Sequence, residues 1–264
     1  MSFFTQKERP MVTVMVQGKT KERVVELMEK AHALGADAFG VQLERLCPAD
    51  RTEKSFRTIL HAACGKPVYF TDYRMSTVMP EQTDEERVGE MLTFLNLGGT
   101  LFDIPTNLYD PDLPPVSYDP DAVARQKQLA AQVHARGGEV LFSTHTAQRM
   151  RTEEVLTLMQ LQRERGADVT KVVCRSDRPD DYTEALRTEI ALRQAGLPAL
   201  FLTTGDCAAR HRRTGPLLGG SALFLCVCEH DELATPAQPE LTEVQKLLSG
   251  AGFPLPAPKT QKGE

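Results

Sequence analysis

Residues 139–173 read EVLFSTHTAQRMRTEEVLTLMQLQRERGADVTKVV, and this stretch decides the fold. It opens on a short apolar run, EVLFS (139–143), and continues through a longer amphipathic segment. After Gly166 it returns to a second apolar run, DVTKVV (168–173). A glycine that stops a helix just before an apolar run makes this one strand–helix–strand unit. The same cadence covers the whole chain. Further apolar runs lie at 11–16 (MVTVMV), 37–43 (DAFGVQL), 66–70 (KPVYF), 99–104 (GTLFDI), 198–203 (PALFLT) and 221–227 (SALFLCV). Between them, KERVVELMEKAHAL (21–34) puts Val24, Leu27, Met28 and Ala31 on one helical stripe. DPDAVARQKQLAAQVHARGG (119–138) starts on an acidic cap and ends in glycines, and DDYTEALRTEIALRQAG (180–196) also ends in glycine.

Eight strands alternating with helices over about 250 residues predict an α/β fold, a (β/α)8 TIM barrel. It is read as a single domain over 1–253 with a Pro- and Lys-rich tail at 254–264. Gly-Ala-Asp precedes a strand twice, at 35–37 and 166–168, a repeat too short to prove duplication. A doubly wound sheet is the competitor. Neither GxGxxG nor GxxxxGK[ST] follows any apolar run, so its nucleotide-binding form loses support.

Composition narrows the partners. The 264 residues hold 31 Lys+Arg against 36 Asp+Glu, a net charge of −5, so neither nucleic acid nor an anionic membrane is expected. No window approaches 18 consecutive apolar residues, and MSFFTQKERP carries charges where an export signal needs an apolar core, so the expected location is cytoplasmic. The six cysteines form no CxxC pair and are expected to be reduced; Cys226 and Cys228 would share one strand face as buried thiols rather than hold a metal.

Lys171 interrupts DVTKVV, a run otherwise fit for a buried strand. Burying an ammonium is costly and lowers its pKa, and a neutral lysine in a barrel mouth is a nucleophile for ketones. The plainer alternatives are a lysine snorkelling to the rim or paired with a carboxylate. His145 ends the preceding strand, 26 residues earlier, so both fall at the same end of adjacent strands, where barrel active sites are built. Imidazole suits proton transfer near neutral pH, although a structural histidine is equally expected of His145 alone. Arg74 (YFTDYRMST) and Arg210, Arg212 and Arg213 (AARHRRTGP) lie after strands three and seven, as carboxylate-binding or surface arginines. GPLLGGSALF (215–224) is a tight turn or an anion cradle. Glu44 and Asp103 also follow or end strands, and Glu44-Arg45 reads as a rim ion pair.

The set resembles the type I 3-dehydroquinate dehydratases, (β/α)8 Schiff-base enzymes, over about 11–248. LFSTHTAQRMRTEEVLTLMQLQRERGADVTKVV is similar to the family's Ser-x-His segment, helix and Ala-Asp-x-x-Lys. That implies His145 as general acid/base and Lys171 as the imine-forming lysine. YFTDYR resembles Thr-x-Arg with one extra residue, which gives Arg74 the substrate-binding place. ARHRRTG resembles Ser-Arg and selects Arg212 for the substrate carboxylate. ATPAQPEL resembles the Ala-Pro-Gly-Gln lid and implies Gln238. The departures are equally plain. The Glu-x-Arg of the second strand falls on Gly40 and Gln42, the Glu-Gly-Gly after the arginine on Val78-Met79-Pro80, the lid serine on Gly220 beside Ser221, and the methionines after strand seven on Thr203 and Thr204.

The resemblance implies conversion of 3-dehydroquinate to 3-dehydroshikimate and water through a covalent imine on Lys171, with His145 moving the proton. Arg74, Arg212, Gln238, Ser221 and Gln42 would hold a small anionic carboxylated ketone. No metal and no organic cofactor are expected; barrels of this kind are often homodimers, but the sequence itself does not give the oligomeric state. The lost groups at Gly40, Gln42 and Val78 leave two alternatives: a related Schiff-base lyase for a different carboxylated ketone, or a non-catalytic homologue that binds a small acid. Val78 accepts no side-chain hydrogen bond, so His145 is expected to be loosely oriented.

Overall fold

The computed structural model describes residues 8–74, 78–110, 112, 114–231 and 233–254. Eight parallel strands alternate with eight α-helices. The strands are β1 (Met11–Val16), β2 (Ala38–Gln42), β3 (Val68–Thr71), β4 (Leu101–Pro105), β5 (Glu139–His145), β6 (Val169–Arg175), β7 (Ala199–Thr204) and β8 (Leu223–Val227). The helices are α1 (Lys21–Ala33), α2 (Glu53–Ala62), α3 (Asp84–Asn96), α4 (Pro120–Ala135), α5 (Thr152–Glu164), α6 (Pro179–Ala195), α7 (Ala208–Thr214) and α8 (Leu241–Gly250). Neighbouring strands pair in the order β7-β6-β5-β4-β3-β2-β1-β8, and a parallel bridge from Ala199 to Ser221 joins the two ends. The chain is therefore a nearly closed (β/α)8 barrel, as its cadence predicts.

The two Gly-Ala-Asp segments act alike. Gly35 and Gly166 turn at positive φ (87° and 109°) to end α1 and α5. Asp37 then accepts the Val12 N–H at 2.9 Å, and Asp168 accepts the Val140 N–H at 2.8 Å. Each aspartate satisfies an orphan donor at the start of the preceding strand. The expected stripe of α1, Val24, Leu27, Met28 and Ala31, is buried against the barrel wall.

Residues of one parity fill the lumen: Met11, Ala38, Leu101, Leu141, Val169 and Leu223 are among them. The other parity, with Phe39, Phe70, Phe102, Phe142 and Phe224, packs outward against the helices. Cys226 and Cys228 share that outer face. All six cysteines are free thiols, and the described residues hold no group of three or more metal-ligating side chains. No helix among the described residues is long and apolar enough to cross a membrane. Residues 1–7 of the expected domain, and the expected tail beyond Pro254, lie outside the described residues.

Candidate active site

The C-terminal ends of β3 to β6 converge on one amine. Lys171 lies mid-way along β6, opposite Ser143 on β5 and Leu200 on β7, and is 5% exposed. Its strand is pinned from outside, because the buried Gln162 amide of α5 takes the Lys171 N–H at 2.9 Å and donates to its carbonyl at 2.8 Å. The side chain points into the lumen. Nζ lies 2.9 Å from the Tyr69 hydroxyl, 2.7 Å from the Tyr73 hydroxyl and 3.5 Å from Asp103 Oδ2. Both phenols donate to that same Oδ2, at 2.5 Å from Tyr69 and 2.6 Å from Tyr73, and Ser143 Oγ donates to Oδ1 at 2.5 Å. Burial pushes the Lys171 amine below its ordinary pKa, and the Asp103 carboxylate pulls it back up. Burial, then the Asp103 charge, pushes both phenols well above the usual tyrosine value.

His145 ends β5 two residues above Ser143, on the same inward parity and opposite Val173. The residue is partly exposed at the rim, and its ring meets the Tyr73 ring edge-on, with centroids 5.0 Å apart. Desolvation by the surrounding mouth, with the charges of Lys171 and Arg212, holds its pKa well below the ordinary histidine value. The imidazole is thus neutral at pH 7 and able to accept a proton. Among the described residues it makes no side-chain hydrogen bond, so no carboxylate fixes its tautomer.

Arg212 on α7 leans over the mouth from the β7 side. It is 8% exposed, donates through Nε to the Thr203 carbonyl at 3.1 Å and through Nη1 to Gln238 Oε1 at 2.9 Å. Burial lowers its pKa to about 10, and it stays charged at neutral pH. Gln238 follows β8 and is itself buried, with Nε2 unpartnered among the described residues. Arg212 and Gln238, singled out separately in the sequence, thus form one unit.

The mouth at β2 differs from the expectation for Glu44. The turn Leu43–Arg45 carries the Glu44 carboxylate inward to 4% exposure, where Thr71 Oγ1 donates to it at 2.9 Å and Gln42 Nε2 at 2.9 Å. Its pKa is pushed up to about 7 by burial. Gln42 is also bonded by Gln17. Met15 lies across Gly40: a Cβ there would come 2.2 Å from the Met15 sulfur, so thioether fills the space where a longer residue would stand.

Two expected site residues lie elsewhere. Arg74 forms a two-pronged ion pair with Asp84 on α3, at 2.6 Å through Nε, and donates to the Asp110 carbonyl at 3.1 Å. Side-chain parity explains the difference. Tyr69, Thr71 and Tyr73 point inward, so residue 74 points out. Arg87 holds the Tyr73 carbonyl at 3.0 Å and Asp72 at 3.3 Å, fixing this strand end. Ser221 precedes β8, at the opposite face of the barrel. Its hydroxyl donates to Glu189 at 2.9 Å and it lines a hollow of about 320 Å³ there with Arg9 and Arg193. The neighbouring Gly219-Gly220 is a tight turn: a Cβ on Gly220 would come 2.2 Å from the Glu189 carbonyl oxygen. Of RMSTVMPEQ, residues 75–77 lie outside the described residues. Tyr69, Tyr73 and Ser143 were missed by the sequence reading, although their inward parity with Lys171 was available from the strand period.

A family model described as type I 3-dehydroquinase matches residues 12–252. The chain belongs to the type I 3-dehydroquinase family. Members of this dehydroquinase family are lyases that eliminate water. Among solved structures, the 3-dehydroquinate dehydratase of Geobacillus kaustophilus HTA426 superposes with a TM-score of 0.78 at 18% identity, covering 93% of this chain and 92% of that one. The type I 3-dehydroquinate dehydratase of Clostridium difficile, solved with covalently modified comenic acid, gives 0.77 at 16%, covering 92% of each chain. That of Enterococcus faecalis gives 0.74 at 15%, covering 92% and 95%. No curated protein matches the sequence.

Proposed function

We propose that this dehydroquinase-family chain converts 3-dehydroquinate to 3-dehydroshikimate and water through an imine on Lys171. One observation carries the proposal: the only amine of the lumen-facing cluster among the described residues is desolvated, and an inward imidazole stands two residues further up the adjacent strand. Lys171 attacks the ring ketone, and the iminium formed draws electrons from the neighbouring C–H. His145 takes that proton and returns it to the departing hydroxyl. Arg212, steadied by Gln238, holds the carboxylate and so fixes the ring over the amine. The imine is the electron sink, so the reaction calls on no metal or organic cofactor. Six free thiols suit a reducing compartment, which supports the cytoplasm as its place.

A second reading has its own support. Met15 over Gly40, and Tyr73 where an inward arginine was expected, make this half of the mouth less polar. A carboxylated ketone with fewer ring hydroxyls would suit it. Borohydride reduction in the presence of 3-dehydroquinate tests the first reading: substrate mass should appear on Lys171 and vanish in Lys171→Ala. An adduct with another oxo acid, and none with 3-dehydroquinate, establishes the second reading. No adduct with any carboxylated ketone would leave only a non-catalytic binder of small acids.

A further inference from the structure

We infer that Tyr73 is a catalytic acid–base residue for imine formation, carrying protons between Lys171 and Asp103. The inference rests on the Schiff-base reading above. An ammonium has no lone pair, so Lys171 must lose a proton before it attacks. Among the described residues every hydrogen bond of Nζ leads to Asp103: the amine donates to Tyr69 at 2.9 Å and Tyr73 at 2.7 Å, both phenols donate on to Oδ2, and the direct contact to Oδ2 is longer, at 3.5 Å. The two phenols are unequal. Tyr69 is fully buried beneath the amine, whereas Tyr73 is partly open and stands on the mouth side, against His145. A ketone entering from the mouth meets the Tyr73 hydroxyl together with Nζ, 2.7 Å away. Tyr69 is then a positioning residue that holds Asp103.

The steps balance. Lys171 gives one ammonium proton to Tyr73 as the phenol proton passes to Asp103. The free nitrogen pair forms the C–N bond, and the C=O π pair moves to oxygen. A second N–H proton crosses through Tyr73 to that oxygen, giving a neutral carbinolamine. The proton held on Asp103 then returns through Tyr73 to the hydroxyl. The C–O bond breaks, water leaves, and the nitrogen pair closes the iminium. Ammonium plus ketone thus gives iminium plus water, with Asp103 again a carboxylate beside the cation.

The test is rapid mixing of wild type, Tyr73→Phe and Tyr69→Phe with 3-dehydroquinate, quenched by borohydride at successive times and read by intact mass. Tyr73→Phe keeps the ring against His145, and its thermal unfolding checks the fold. Adduct formation should slow about 100-fold or more in Tyr73→Phe, and less than tenfold in Tyr69→Phe. Wild type should form adduct more slowly in D2O, because a proton is in flight. Wild-type speed in Tyr73→Phe, equal slowing in the two variants, or no deuterium effect in wild type each overturns the relay while leaving the imine standing. No adduct in wild type with any carboxylated ketone overturns the Schiff-base reading itself.

Discussion

Asp103→Asn probes the electrostatics of the site most directly. The carboxylate is 1% exposed, receives three hydroxyl donors and lies 3.5 Å from the Lys171 amine. Two unit charges at that distance attract by about 5 kcal/mol at an effective dielectric of about 20. Asparagine removes the charge and turns an acceptor into an NH2 group among hydroxyl donors. Lys171 escapes part of the loss by shedding its proton, so the net destabilisation should be about 3 kcal/mol at pH 7. For a chain of this size that is about 6–12 °C in melting temperature. The sign with pH follows from Lys171. Its folded pKa is already lowered by burial, and loss of Asp103 lowers it further. The unfolded chain, with a lysine pKa of about 10.4, then binds the proton that the folded chain lacks, so stability rises with pH. The gap between variant and wild type should narrow as pH approaches 10. Thermal or urea unfolding from pH 7 to 10 measures it. A gap that is absent, or that stays constant across this range, refutes the pairing of Asp103 with a buried amine.

Arg212→Lys should raise KM by about 10- to 100-fold, the loss of a charged hydrogen bond, while kcat changes less; steady-state kinetics on the adduct-forming ketone decide it, and an unchanged KM removes Arg212 from the carboxylate. Glu189, fully buried, has its pKa pushed up to about 8 by burial, and His211, 3.8 Å away, is lowered to about 3, so the pair is neutral at pH 7. A raised carboxyl pKa stabilises below the unfolded value of about 4.3 and loses stability as pH climbs to about 8. Glu189→Gln should therefore be more stable than wild type by about 1 kcal/mol or more at pH 8, with little difference at pH 4.5; chemical denaturation at the two pH values checks this, and a destabilised variant at pH 8 refutes a neutral Glu189. Val78→Glu should sharpen the pH–rate profile by giving His145 an acceptor, and a superimposable profile counts against a loosely oriented imidazole.

The barrel was legible because strand and helix leave different periods in a sequence. Each apolar run gave a strand within about two residues, and the stop glycines at 35, 166 and 196 end helices at positive φ. Lys171 was legible for a physical reason: one ammonium inside a run such as DVTKVV costs too much to be incidental. Arg212 needed the family resemblance, since Arg210 and Arg213 offered the same chemistry. Only the buried bonds to Thr203 and Gln238 distinguish it from its neighbours.

The inward face of β3 was misread for want of one rule. Matching YFTDYR by residue type brought Arg74 to the arginine's place, but a strand sorts side chains by parity before chemistry. Thr71 points in, so residue 73 does too, and an arginine at 74 finds Asp84 outside. Ser221 was misplaced by its nearness to Gly220, where the lid serine was matched: it precedes β8, whereas the active end lies after Val227. Glu44 was legible by the same rule: it shares the parity of Ala38 and Gln42, so its carboxylate turns inward with them, while Phe39, Val41 and Leu43 pack outward. Replacing an inward arginine by Tyr73 exchanges a fixed positive charge for a hydroxyl that both donates and accepts. Under the proposed function it gives up one anchor for an anionic substrate and leaves Arg212 as the main one. In the same exchange it places a proton carrier 2.7 Å from the amine that needs one.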